Sequence, residues 1–183
     1  ITRTITAASD GSTVSGNSVE ILSTTNADLD AITVGGTAAG NFALGGSVSL
    51  NDIGGTMEAR IAGGNVTSTN PLLINAKDDT IIVSIAGQIA LTTGSGAAIG
   101  AALSTNKISR DTYATINGGT VTAPTVNVLA DNDADLDAIT LGGTAAGNFS
   151  LGGSISINEI GGTLEARVMG AATVNAATKL RVA

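Results

Sequence analysis

Hydrophobic and polar residues alternate along short stretches of this chain, and one such stretch occurs four times. The copies start at steps of 53, 54 and 54 residues, and they are Val19-Glu20-Ile21, Leu72-Leu73-Ile74, Val126-Asn127-Val128 and Leu180-Arg181-Val182. The first and third positions are always aliphatic, whereas the middle one is an acid, an aliphatic, an amide or a base. Alternation at period two predicts a strand with one face in a core and the other in solvent.

Two further strands repeat in the same way. Residues 57–61 (MEARI) correspond to 112–116 (TYATI) and 164–168 (LEARV), and residues 47–51 (SVSLN) correspond to 154–158 (SISIN). Glu58/Arg60 and Glu165/Arg167 stand two residues apart, so each pair should share a strand face and form an ion pair. These segments predict a chain built from repeated strands.

A longer repeat encloses these strands. Residues 27–62 return as 134–169, an offset of 107 with 28 of 36 positions identical. Most of the differences exchange one aliphatic residue for another, which a packed interior tolerates. A long repeat that contains no predicted helix indicates one structural unit stacked on copies of itself. We expect one continuous domain with a partial unit at 1–26 and units at 27–76, 77–130 and 131–183, cut from a longer array.

The predicted fold is all-β: a parallel β-helix, or β-solenoid, with units of about 53–54 residues and a right-handed coil. We expect strands of about five residues, two coils per unit, and Gly-Gly pairs at the corners. A β-sandwich is the structural alternative. The residues predicted to point inward are Ile32, Val34, Val48, Leu50, Ala59, Ile61, Leu72, Ile74, Val126, Val128, Ile155, Ile157, Leu180 and Val182.

The amino-acid composition argues against several classes of function. The 183 residues carry a net charge of −7 and only 2% aromatics, which argues against nucleic-acid binding. The absence of His and Cys excludes Ser-His-Asp, Cys-His and thiolate chemistry and the usual zinc sets. Residues 80–106 carry no charge, but their Ser, Thr, Gln and Gly argue against a membrane span. A flat, charge-free face that packs against another chain is the alternative to a membrane span for this segment.

Carboxylates are the remaining candidates for chemistry. Asp131, Asp133, Asp135 and Asp137 fall within seven positions, and Ca²⁺ prefers such hard oxygen donors. The calcium-loop pattern of an EF-hand is missing, so solvated turns are the simpler interpretation and calcium is a weak hypothesis. Paired carboxylates could also cleave glycosides, yet these acids recur at junctions between units. We therefore expect no catalytic residue and no cofactor other than calcium.

One family resemblance rests on residues 45–67 (GGSVSLNDIGGTMEARIAGGNVT) and their copies at 100–122 and 152–172. This pattern resembles the repeats of giant secreted adhesins of Gram-negative bacteria, of the leukotoxin-like and filamentous-haemagglutinin-like kinds. The resemblance implies a parallel β-helix that is secreted and displayed at the cell surface, and it transfers no catalytic or binding residue.

The expected function is a structural, non-catalytic repeat segment of a very large extracellular surface protein, acting as an adhesin stalk or fibre. One alternative is a self-assembling extracellular filament or sheath subunit. Another is a β-helix that binds or cleaves polysaccharide, which would need a carboxylate-lined groove that breaks the repeat. Expected partners are neighbouring repeats of the same protein, lateral copies of the chain, or a host or cell surface.

Overall fold

The computed structural model describes residues 1–183 as twelve β-strands, with no helix. The strands are β1 (Thr2–Asp10), β2 (Thr13–Gly16), β3 (Glu20–Ala39), β4 (Phe42–Ala62), β5 (Asn65–Ser68), β6 (Leu72–Thr92), β7 (Ala97–Asn117), β8 (Thr120–Asn132), β9 (Asp135–Ala145), β10 (Phe149–Gly161), β11 (Leu164–Met169) and β12 (Thr173–Val182).

Every strand pair is parallel, and the strands form two sheets that face each other. Sheet A has the order β1-β4-β7, and β10 and β11 both pair with β7. Sheet B has the order β2-β5-β8-β6-β3, with β12 on β8 and β9 on β6. The chain runs alternately through the two sheets, and we call one passage along both of them a rung.

The register of the sheets follows the sequence repeat. Leu73 pairs with Glu20 on one side and with Asn127 on the other, and Asn127 also pairs with Arg181. These are the residues that the alternating pattern aligns at steps of 53 and 54, so the predicted spacing is confirmed. Each unit makes one rung, however, and the expectation of two coils per unit is wrong.

The strands are also much longer than the predicted five residues. β3, β4, β6 and β7 run for 20 or 21 residues each, and β4 pairs with β7 from Phe42 to Ala62 without a register shift. Gly45-Gly46 and Gly54-Gly55 lie inside β4 rather than at corners. The true corners are Gly63-Gly64 and Gly118-Gly119, whose φ angles between +71° and +78° suit glycine.

The interior has two contrasting ends. Near the Gly63-Gly64 and Gly118-Gly119 corners, both sheets contribute buried aliphatic side chains to one cluster; we call this the aliphatic end. Its central members are Ala59, Ile61, Val66, Leu72, Ile74, Ile116, Val121, Val126 and Val128. The predictions that Ala59, Ile61, Leu72, Ile74, Val126 and Val128 point inward are confirmed. Burial of these side chains supplies the main driving force for stacking the rungs.

Toward the opposite corners, the interior holds small and polar side chains; we call this the polar-filled end. Its buried members include Ser47, Ser49, Asn51, Ser84, Gln88, Ser104 and Asn106, with Ala43, Ala90 and Ala98 nearest the corner. A Cβ on Gly35 of β3 would lie 2.2 Å from the backbone oxygen of Gly46 of β4. The sheets therefore approach closely at this point, and a larger side chain such as Gln88 fits only where glycines face it.

The predicted facing is wrong at the polar-filled end. Ile32, Val34, Val48 and Leu50 are 71%, 76%, 58% and 70% exposed, and Ile155 and Ile157 are exposed as well. Because β4 alternates without interruption, the inward position of Ile53 places Leu50 on the outer surface. The aliphatic exchanges between the two long copies at these positions are therefore surface changes rather than core changes.

Leu180 and Val182 are a separate case. They pair with Val126 and Val128 and thus share their inward side of sheet B, but they are 45% and 41% exposed. No strand pairs with β12 on its other edge, so these two side chains are covered on one side only.

Candidate functional site

The four calcium candidates lie in a line on the outer side of sheet B. Asp131 is in β8, Asp135 and Asp137 are in β9, Asp133 lies between the two strands, and all four are exposed. Alternate residues of an extended strand are about 6.6 Å apart, so a row of this kind spreads its carboxylates instead of converging them. No group of three or more carboxylates in the chain is placed to hold a metal ion. Calcium binding here stays an untested prediction.

A lysine of the neighbouring strand, Lys77, lies beside this acidic row and pairs in register with Asp131. Lys77 Nζ donates a hydrogen bond to Asp79 Oδ2 at 3.0 Å. This hydrogen bond and the attraction of Asp79 raise the pKa of Lys77, and Asp131 and Asp133 add to the shift. The ammonium group of Lys77 therefore supplies a positive charge next to these carboxylates.

A unique ion pair is buried where the two ends meet. Arg110 of β7 and Asp78 of β6 are 1% and 0% exposed, and Arg110 Nε lies 3.8 Å from Asp78 Oδ1. Thr80 Oγ1 donates to the same carboxylate oxygen at 2.6 Å, and Met57 Sδ is 3.8 Å from Arg110 Nη1. The pair is closed off from solvent by the sheets, so it is a structural contact and not an accessible acid–base pair.

The residues that pair in register with Arg110 in the neighbouring strands explain why the buried ion pair occurs only once. Arg110 pairs with Gly55 in the neighbouring rung, and Gly55 pairs with Arg3 in the rung beyond. Gly55 adopts φ +127°, and a Cβ there would lie 1.9 Å from the backbone oxygen of Arg3. The glycine is therefore required, and only the middle rung carries the buried arginine with an aspartate opposite.

An asparagine ladder runs through the polar-filled end. Asn51 Nδ2 donates to Asn106 Oδ1 at 2.7 Å, and Asn106 Nδ2 donates to Asn158 Oδ1 at 2.8 Å. Hydroxyls of Ser84 and Ser104 lie 3.0 Å apart and connect the two sheets beside this ladder. The amides of three successive rungs hydrogen-bond to each other, which lets these polar residues be buried without loss of a hydrogen bond. Sequence reasoning missed the ladder, although Asn recurs at 51, 106 and 158.

Gln88 interrupts the regularity of the interior. Its side chain is 2% exposed, and neither amide atom has a hydrogen-bond partner. Gly45 and Gly100 of sheet A face it, and a Cβ on either would lie within 2.5 Å of its amide nitrogen. The two glycines create the room that the glutamine fills.

Ion pairs decorate the outer side of the aliphatic end. Arg60 binds Asp10 through two hydrogen bonds of 3.1 and 2.8 Å and also Glu58 at 2.9 Å, and Arg167 binds Glu165 at 2.7 Å. The predicted Glu58–Arg60 and Glu165–Arg167 pairs are confirmed. Hydrogen bonding from Arg60 lowers the pKa of Asp10.

The largest surface groove carries no acid–base group. It has a volume of about 710 Å³ and lies between β8 and β12. Its lining is small and uncharged and includes Thr122, Pro124, Val174 and Asn175. Without a carboxylate, this groove lacks the pair that glycoside hydrolysis needs.

The outer surface of the polar-filled end is apolar on both sheets. Apolar face A consists of the outward side chains of residues 42–50, 97–105 and 149–157; apolar face B consists of those of 32–38, 85–91 and 139–145. Phe42 and Phe149 are the first residues of two strands of face A, and each pairs with Ala97 of the strand between them. Both phenylalanine side chains are exposed. The uncharged segment 80–106 contributes the middle rung of both faces.

Comparison with protein-family models, with curated proteins and with solved structures finds no match. The structure contains no helix with the length and apolar character that crossing a membrane requires.

Proposed function

We propose that the chain is a non-catalytic segment of a parallel β-solenoid rod, part of a very large extracellular surface protein in which it acts as an adhesin stalk or fibre. The observation that carries this proposal is the uninterrupted parallel register between rungs, which extends over 21 residues between β4 and β7. A rod of this kind transmits force through backbone ladders and needs no active site.

Two features of the interior support the proposal. Aliphatic columns at one end and the asparagine ladder at the other repeat from rung to rung, so at these columns each rung offers its neighbour a similar surface. Stability then grows with the number of rungs, as in other repeat proteins. The resemblance to giant secreted adhesins is the reason for proposing display outside the cell.

The test is to insert extra copies of residues 77–130 and to measure the shape of the protein. Each added unit should lengthen the particle by about 4.8 Å along one axis and leave its cross-section unchanged. Small-angle scattering on a series with two, four and six added units would resolve this trend. A series whose cross-section grows instead, or which adds separate globular bodies, contradicts the rod.

A self-assembling filament or sheath subunit is the second candidate. The observation that favours it is the pair of apolar outer faces, which a lone stalk does not require. Cryo-electron microscopy of the native assembly separates the two: isolated rods support the stalk, and rods packed side by side in a lattice support the sheath.

A further inference from the structure

We infer that apolar face A is an interface between two copies of this chain, packed sheet A against sheet A about a twofold axis. The inference deepens the second candidate function but does not rest on the stalk proposal. At the polar-filled end, the large aliphatic residues of sheet A face outward, and no other part of the chain covers them.

Face A is corrugated in a way that suits another sheet. Leu44, Ile99 and Leu151 pair across the rungs as one ridge, and Val48, Leu103 and Ile155 pair as a second. Between the ridges lies a row of Gly46, Ala101 and Gly153. A ridge of a second copy fits into this shallow row. Along the ridge, the side chains of both copies repeat at the same strand spacing of about 4.8 Å, so they can stay in register from rung to rung.

Charge selects face A over face B. Neither face contains a charged side chain, but their borders differ: face A is bordered by Asp52, Lys107 and Glu159, and Lys107 forms an ion pair with Glu159. Face B is bordered by the exposed acids Asp28, Asp30, Asp135 and Asp137 without a base on those rows. Two copies joined through face B would bring several acids without a base near the interface, whereas Lys107 offsets an acid at the border of face A.

The size of face A predicts how strong the pairing is. Residues 42–50 span about 30 Å, and three rungs span about 14 Å, which gives about 400 Å² on each copy. A patch of this size is within the range of the largest apolar patch on a typical monomer, and it is about half of a standard interface. We therefore expect weak, reversible dimers from three rungs.

The corners argue for a protein partner rather than a lipid one. Gly40, Asn41, Thr93 and Ser95 are exposed at the polar-filled end. Insertion of this end into a bilayer would strip water from these backbone and polar groups. A second copy covers only the flat face and leaves the corners in water.

Cross-linking tests the geometry directly, because the chain has no cysteine of its own. Ala101 lies in the middle rung near the centre of face A, so a twofold axis through this face brings it within cross-linking distance of its own copy. Its matched control is Gly87, which lies in the middle rung of face B and has open space where a side chain would begin. With a short bismaleimide, Ala101→Cys should give covalent dimers and Gly87→Cys should give at least about tenfold fewer. Equal yields overturn the proposed face.

Sedimentation velocity tests the energetics. Val48→Lys should raise the dimer dissociation constant at least about tenfold, whereas Ile32→Lys on face B should change it less than about twofold, with circular dichroism checking that both are folded. A native chain that stays monomeric up to millimolar concentration overturns the inference. Binding of the native chain to phosphatidylcholine vesicles that Val48→Lys abolishes, without dimers, would assign face A to lipid instead. Neither failure affects the scattering test of the rod.

Discussion

The aliphatic end and the polar-filled end use the same alternating strands with opposite facing. In β4, Ile61 is buried while Arg60 faces solvent; farther along the same strand, Ser49 is buried while Leu50 faces solvent. The difference follows the space between the sheets. Large aliphatic side chains fill the aliphatic end, whereas close backbone approach at Gly35 and Gly46 leaves little room at the other end, where mainly small or polar side chains are buried. Facing is thus set by the volume available and not by hydrophobicity alone.

The largest expected effect separates the two ends within one strand. Ile61→Asp should cost at least about 4 kcal/mol and unfold the chain, because it buries an unpaired charge. Leu50→Asp should change the free energy of unfolding by less than about 0.5 kcal/mol, since its side chain is 70% exposed. Urea denaturation measures both, with Glu20→Lys on the exposed face of β3 as a control for adding charge. Equal destabilisation by both Asp variants would mean that β4 contains a register change between them.

The boundary between the ends should be the next most sensitive place. Asp78→Ala leaves Arg110 buried without its counter-ion, and we expect a loss of about 3–5 kcal/mol. The double variant Asp78→Leu/Arg110→Met removes both charges and should recover most of that loss. Denaturation of these proteins and of the single Arg110→Met variant forms a double-mutant cycle. A double variant as unstable as the sum of its parts would show that the two charges do not interact.

The asparagine ladder should contribute less. Asn106→Ala removes the hydrogen bonds to Asn51, Asn158 and Ser104, and we expect a loss of about 1–3 kcal/mol. Asn127→Ala, in the same rung but on the outer side of the aliphatic end, is the matched control and should be almost neutral. Hydrogen exchange should show the loss of protection confined to the polar-filled end. Uniform loss of protection would mean that the two ends unfold together.

The smallest effect concerns the outer ion pair of the aliphatic end. Arg60 lowers the folded-state pKa of Asp10 from 3.8, so the pair stabilises the fold above that pH and loses its effect as pH falls through the lowered value. Asp10→Asn should therefore reduce the melting temperature slightly at about pH 7, and the difference from the native chain should shrink as the pH falls below 3.8. A difference that persists in acid would assign the effect to packing rather than to charge.

Prediction from sequence succeeded for the pairing of equivalent strands and for the outer ion pairs, both of which follow from spacing along the chain. The pairings of Glu20 with Leu73 and of Leu73 with Asn127 follow from the repeat, as do the ion pairs of Arg60 and Arg167. It failed for Val48 and Leu50 because alternation looks the same whichever side faces inward. A signal was present: large apolar residues of β4 occupy even positions up to Leu50 and odd positions from Ile53. That change of phase means that an uninterrupted strand must expose one of the two sets.

The amino-acid sequence by itself determined the all-β class, the step of 53 or 54 residues and the register of the parallel strands, because these follow from periodicity along one chain. Tertiary structure alone decided the length of each strand, the burial of Arg110 with Asp78, the asparagine ladder and the outward position of the aliphatic residues at the polar-filled end. Those features depend on the distance between two sheets. That distance is set by side chains from both sheets at once, and no single stretch of sequence specifies it.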